Sequence, residues 1–140
     1  MPSDSFAIVE LLRLLRQESP AYNYVEDDPA WVYDNLYAML EAGQLIGVIV
    51  PERGFMIGTV SHTWYSKQLE ATEQLLYIDP DARGGMLAVR LIRAFESLAR
   101  ERGAMHLHVG ATTRMAEDRT RELYIRLGYE PTGQSLRKKL

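Results

Sequence analysis

The chain contains no cysteine, which excludes disulfides, thiolate metal sites and cysteine nucleophiles together. No apolar run approaches the roughly 20 residues that a membrane-spanning helix needs. The opening MPSDSFAIVE lacks the basic stretch and long apolar core of a secretory signal, so the expected location is the cytosol. Charge of neither sign dominates. Sixteen Lys and Arg against 19 Asp and Glu leave a net charge of −3, which gives little general attraction for nucleic acid. The basic tail Arg137-Lys138-Lys139 is too short to change that. Repeats, low-complexity tracts and long linkers are also missing, so residues 1–140 read as a single domain. What is present is globular: 46% hydrophobic and 25% charged residues, enough to bury a core.

The pattern predicts alternating helices and strands. Ile8, Leu11, Leu12 and Leu15 form one stripe of an amphipathic helix over residues 4–18, which Ser19-Pro20 ends. A second helix is predicted from the Asp28-Pro29 start signal to about Ala42, where Gly43 supplies a left-handed cap. Strands are expected at Gln44–Val50 and Phe55–Tyr65, joined by a Pro51–Gly54 turn, and again over residues 71–78. The last of these ends in Leu75-Leu76-Tyr77-Ile78, apolar on both faces, as a central strand requires. A long helix with the stripe Leu87, Leu91, Phe95 and Leu98 closes at Gly103, and Met105–Gly110 reads as a parallel neighbour of the preceding strand. A final helix over about 115–127 ends at Gly128, and the last dozen residues read as one more strand or a hairpin. The fold class expected is α/β or α+β: a mixed sheet with an antiparallel meander first, a parallel pair in the middle and about four flanking helices.

Chemistry concentrates in Leu75-Leu76-Tyr77-Ile78-Asp79-Pro80-Asp81-Ala82-Arg83-Gly84-Gly85-Met86-Leu87-Ala88. A buried strand passes through a proline loop and two glycines into a helix N-terminus, whose free N–H groups and partial positive charge suit a phosphate or pyrophosphate. Gly84 and Gly85 let backbone approach a ligand, and Arg83 adds a forked cation. The same residues also suit a plain strand-to-helix turn. Neither G-x-x-x-x-G-K-[ST] nor an early G-x-G-x-x-G is present.

A second segment, Leu123-Tyr124-Ile125-Arg126-Leu127-Gly128-Tyr129, completes a pattern. Together the two resemble the GCN5-related N-acetyltransferase (GNAT) family. Its V-x-P and R-G-x-G-x-G/A stand here as Ile78-Asp79-Pro80 and Arg83-Gly84-Gly85-Met86-Leu87-Ala88. Its f-Y-x-x-x-G-F stands as Leu123-Tyr124 with Gly128-Tyr129. The predicted element order matches over nearly the whole chain.

The resemblance implies a function: transfer of an acetyl group from acetyl-CoA to a primary amine on a small molecule, peptide or protein lysine. Backbone groups of Leu76, Tyr77 and Ile78 would pair with the pantetheine arm. Those from Arg83 through Gly84, Gly85, Met86 and Leu87 to Ala88 would hold the pyrophosphate. Tyr124 would serve as general acid and Glu73, on the central strand, as base, with Glu117 in reserve. Met86 stands where the family has the central glycine of its loop, and Glu117 where many members have asparagine. The alternative reading is a non-catalytic acyl-CoA-binding module, regulatory or assembly-related. The resemblance also implies a possible homodimer, with no nucleic acid or membrane as partner.

The remaining polar residues admit plainer readings. His106 and His108 alternate on one strand face, but no third ligand is evident, so no metal is expected. His62, Trp64 and Tyr65 face either an acceptor cleft or the core. Glu26-Asp27-Asp28 suits either a cationic amine or a helix cap.

Overall fold

The computed structural model describes residues 28–110, 117–133 and 136–140, together with Glu10 and Arg13. The helix predicted over 4–18, and with it Glu26 and Asp27, therefore lies outside the described residues apart from those two.

Helix α1 (Pro29–Glu41) begins as the sequence predicts: Asp28 accepts a hydrogen bond from the Trp31 N–H at 3.1 Å, and proline fills the first turn. It ends at Gly43, φ +70°, where the N–H of Gln44 reaches the Met39 carbonyl and that of Gly43 the Leu40 carbonyl. This is a Schellman cap. Four strands follow in spatial order β1-β2-β3-β4: β1 (Leu45–Val50), β2 (Gly54–His62), β3 (Leu69–Ile78) and β4 (His106–His108). The first three form an antiparallel meander and β3 pairs with β4 in parallel. Between β3 and β4 run a short 3-10 turn at Pro80–Ala82 and helix α2 (Leu87–Glu101); helix α3 (Glu117–Arg126) follows β4.

The sheet carries a core on each face. Leu36 of α1 packs with Leu45, Phe55, Ile57, Leu75 and Tyr77. On the other face Leu91, Ile92, Phe95 and Ala99 of α2 pack with Ile46, Met56, Ala71 and Tyr124. The buried stripe of α2 is thus rotated slightly from the predicted one, leaving Leu87 and Leu98 half-buried at its margins. Tyr77 is buried in one cluster while Leu76 and Ile78 pack against the other, as expected of a strand covered on both faces.

Three expectations are corrected. The second strand stops at His62, and Trp64 and Tyr65 stand in the following loop, 95% and 69% exposed. The strand predicted over 105–110 shortens to three residues. The described residues of the last dozen form no strand; Leu136 and Leu140 lie fully in solvent and supply no burial to hold one.

Candidate active site

The site originates in a mismatch within the sheet. Along β2 and β3 the register runs Ile57 opposite Leu75 and Gly58 opposite Glu73, which leaves Gln74 as an extra residue. Such a bulge switches the faces that successive side chains occupy. Ala71 faces the α2 core, whereas Leu75 and Tyr77, one and three places past Gln74, face α1. The parallel partner is lost at the same level. β4 pairs with β3 only at Glu70–His106, Ala71–Leu107 and Thr72–His108, and β3 runs on to Ile78 with no described strand along that edge.

The gap opens into a cavity of about 460 Å³. Its wall on one side is β3, from Glu73 through Leu75, Leu76 and Tyr77 to Ile78. Ala82 to Gly85 and Ala88 close one end, and α3 supplies Arg119, Thr120, Glu122, Leu123 and Arg126 opposite. Glu73 sits where the strands part and accepts a hydrogen bond from the Gly110 N–H at 3.1 Å. Burial raises its carboxyl to about pKa 7, against the lowering effect of backbone N–H groups of Gly110 and Leu76.

At the other end, the Arg83 side chain folds back so that Nε donates to the Ile78 carbonyl at 2.9 Å and the guanidinium lies 5.7 Å from the Tyr77 ring centre. Gly84 has φ +85°, a conformation that favours glycine, and open space where its Cβ would be. Gly85 has open space and no such φ. Met86 takes φ −90° and ψ 4°, which any residue adopts, so this loop does not require glycine at the family's central position. Met86 caps α2 with no side-chain hydrogen bond and the first turn carries no acidic residue. The first intrahelical bond is from Arg90 to Met86, which leaves the N–H groups of Leu87 and Ala88 at the helix end beside the cavity.

Tyr124 is placed differently from the other candidates. It is 4% exposed in the α2-side core and does not line the cavity, although its helical neighbour Leu123 does. Its hydroxyl is buried with no hydrogen-bond partner. Burial first, then the charge of Glu73 and then Tyr129, hold its proton far above the usual phenol range, which puts Tyr124 within electrostatic reach of Glu73. The helix end explains its setting: α3 closes with a Schellman cap at Gly128, φ +99°, in which the Tyr129 N–H bonds to the Tyr124 carbonyl at 3.0 Å. That cap brings the two side chains together, with ring centres 5.1 Å apart at 68°. Glu117 is the first residue of α3.

The histidines lie elsewhere. His108 Nε2 is 3.0 Å and His106 Nδ1 3.8 Å from opposite oxygens of Glu70, all on the exposed end of the sheet. Among the described residues no group of three His, Asp or Glu is placed to hold a metal ion. His62 is exposed at the end of β2, and Asp28 serves as the α1 cap. The reading from sequence did not include Gly110, Arg119, Arg126 or the Tyr129–Glu96 pair. The spacing of Arg119, Leu123 and Arg126 along one helix face was the available signal for the cavity wall.

Comparison with known proteins agrees with this geometry. The acetyltransferase (GNAT) family model matches residues 8–129. No curated protein matches the chain. Among solved structures, an aminoglycoside acetyltransferase from an uncultured soil metagenomic sample is 19% identical, with 99% of this chain and 93% of that one covered at a TM-score of 0.73. A protein of Arthrobacter sp. FB24 is 19% identical, with 100% and 92% covered at 0.77. Ribosomal-protein-alanine N-acetyltransferase from Brucella melitensis biovar Abortus 2308 is 20% identical, with 99% and 95% covered at 0.71. At such identities these structures speak to the fold, while the family match rests on the sequence itself: the chain belongs to the GNAT acetyltransferase family.

Proposed function

We propose that this protein transfers an acetyl group from acetyl-CoA to a primary amine, with Glu73 as the base and Tyr124 as the proton donor. One observation carries the reading: a single cavity joins a buried carboxylate, at the point where two strands part, to an uncapped helix N-terminus behind two glycines. The residues present fit an acyl-CoA. Open space at Gly84 and Gly85 and the free N–H groups of Leu87 and Ala88 suit a pyrophosphate, with Arg83 and Met86 flanking it. The β3 edge at Leu76, Tyr77 and Ile78 offers backbone groups to the amides of a pantetheine arm.

When bound, acetyl-CoA supplies an acyl thioester activated toward attack. The chain's own residues manage the protons. An alkylammonium cannot attack until it loses one, and a carboxylate with a pKa of about 7 divides its population between both forms near neutral pH, the optimum for a general base. The Gly110 N–H fixes the orientation of that carboxylate. Tyr124 keeps its proton on the phenol oxygen at every ordinary pH and offers it to the departing sulfur. Because the hydroxyl is buried, this role requires the ring to shift slightly toward the cavity. The two groups are coupled: once Glu73 has taken a proton its charge is gone, and one of the causes that hold the Tyr124 proton back goes with it.

The test begins with a thermal-shift titration with acetyl-CoA and continues with a panel of amines followed by release of free thiol. The absence of cysteine gives that thiol assay no background from the protein. Stabilisation by acetyl-CoA with amine-dependent thiol release supports the reading. Binding without release across the panel assigns the chain instead as an acyl-CoA-binding module, and no binding at millimolar concentration removes both.

A further inference from the structure

Tyr129 stands where the family pattern has phenylalanine, and its extra oxygen is engaged. The hydroxyl donates to Glu96 Oε2 at 3.0 Å, and the other oxygen of Glu96 accepts from Arg93 Nη1 at 2.9 Å. Glu96 is 13% exposed in its side chain, so this is a partly desolvated bond rather than a solvent-exposed one. It ties the chain just past α3 to the middle of α2. The Tyr129 ring in turn meets Tyr124 edge to face. Without the bond to Glu96, the cap at Gly128 would still bring the two rings together, but only packing against the α2-side core would hold the rotation of Tyr129. Tyr124 has no hydrogen bond of its own to hold it. Its orientation therefore depends on packing, and an edge-to-face contact is sensitive to the angle of the partner ring.

We propose that Tyr129, anchored by Glu96, is a positioning residue that sets the orientation of the Tyr124 ring from which its hydroxyl turns toward the cavity. The inference rests on the acid role of Tyr124. A misplacement of about 1 Å costs up to roughly a hundredfold in rate when a reacting group must be aligned, so loss of one anchoring bond is expected to show in turnover. Packing alone would show in stability.

The experiment is a double-mutant cycle on Tyr124→Phe and Tyr129→Phe. It is read as kcat and KM for acetyl-CoA, with the fastest amine of the panel at saturation and at a temperature where every variant is folded by circular dichroism. The expected result is a kcat lower by about fivefold to tenfold in Tyr129→Phe with KM unchanged, and no further loss when Tyr129→Phe is added to Tyr124→Phe. Glu96→Gln, which can still accept the hydroxyl hydrogen, should recover most of the rate that Glu96→Ala loses. An equal loss from Tyr129→Phe in both backgrounds, or no loss in either, overturns the proposal. A Tyr124→Phe single variant at full rate instead identifies the acid assignment as the step that failed, and the positioning role falls with it.

Discussion

The backbone N–H of Gly110 donates to the carboxylate of Glu73 at 3.1 Å, across the point where β3 and β4 part. The bond closes the inner end of the cavity and links β3 to the chain just past β4, where the two no longer pair. It also determines how Glu73 behaves. A carboxylate at that depth is destabilised by loss of water, and one or two backbone donors recover only part of the difference, which leaves the group titrating near neutrality.

The rate should follow that titration. With Glu73 as base, kcat/KM is expected to rise about tenfold per pH unit below 7 and to level off above it. The midpoint of this limb should disappear in Glu73→Gln together with most of the activity. A limb unchanged in Glu73→Gln would place the base elsewhere.

Stability should show the same group with the opposite consequence. Its folded-state pKa, about 7, lies above the ordinary value of 4.5, so the folded protein binds the proton more tightly. The contribution is fully present below pH 4.5 and is lost as pH rises through 7. Above pH 8 the wild-type protein then carries a buried charge that glutamine would not, at a cost of up to about 3 kcal/mol from a shift of that size. Glu73→Gln is expected to melt several degrees above wild type at pH 8.5 and close to it at pH 5. Equal melting temperatures at both pH values would show that Glu73 is not desolvated.

Gly84 and Gly85 should separate the needs of the chain from those of the ligand. Alanine at 84 meets φ +85° and should cost about 1–2 kcal/mol of stability. Alanine at 85 meets neither strain nor neighbours and should leave the melting temperature of the free protein unchanged. If backbone there approaches a pyrophosphate, Gly85→Ala should still weaken acetyl-CoA binding by about tenfold, measured by calorimetry. Unchanged affinity would move the phosphate site off this loop.

Gly58 tests the packing behind the bulge. A Cβ at this position would lie 2.7 Å from Phe95 Cζ and closer still to the Thr72 carbonyl oxygen, a backbone atom that cannot rotate away. Gly58→Ala is expected to destabilise by about 3 kcal/mol in urea unfolding, because either the β2–β3 ladder or α2 must move. A loss below about 1 kcal/mol would mean that the sheet is more compliant at this level than the geometry indicates.

The elements predicted most accurately are those fixed by short-range signals. Asp28-Pro29 starts α1 because capping needs only the side chain and the next three N–H groups. Gly43, Gly103 and Gly128 end α1, α2 and α3 because each takes a positive φ that other residues resist. The same logic made the loop from Arg83 to Ala88 legible as a candidate ligand site, since a strand, two glycines and a helix start are consecutive in the chain.

Contacts between distant segments were not legible. The strand predicted over 105–110 is cut to His106–His108 because β3 turns away at Gln74, a register effect between β2 and β3 with no mark in the sequence of β4. Tyr124 and Glu73 could be named singly, but the burial that raises both depends on α2, α3 and the sheet closing around them. The sequence by itself determined the start of α1, the glycine ends of the described helices and the order of strands, all carried by residues within a few positions of one another, together with the absence of thiol chemistry and the two segments of the family pattern. Tertiary structure decided where β3 and β4 part, how deep Glu73 lies, that Met86 takes a backbone conformation open to any residue, and that Tyr129 reaches Glu96. These follow from desolvation and from contacts more than thirty residues apart along the chain, which local sequence does not encode.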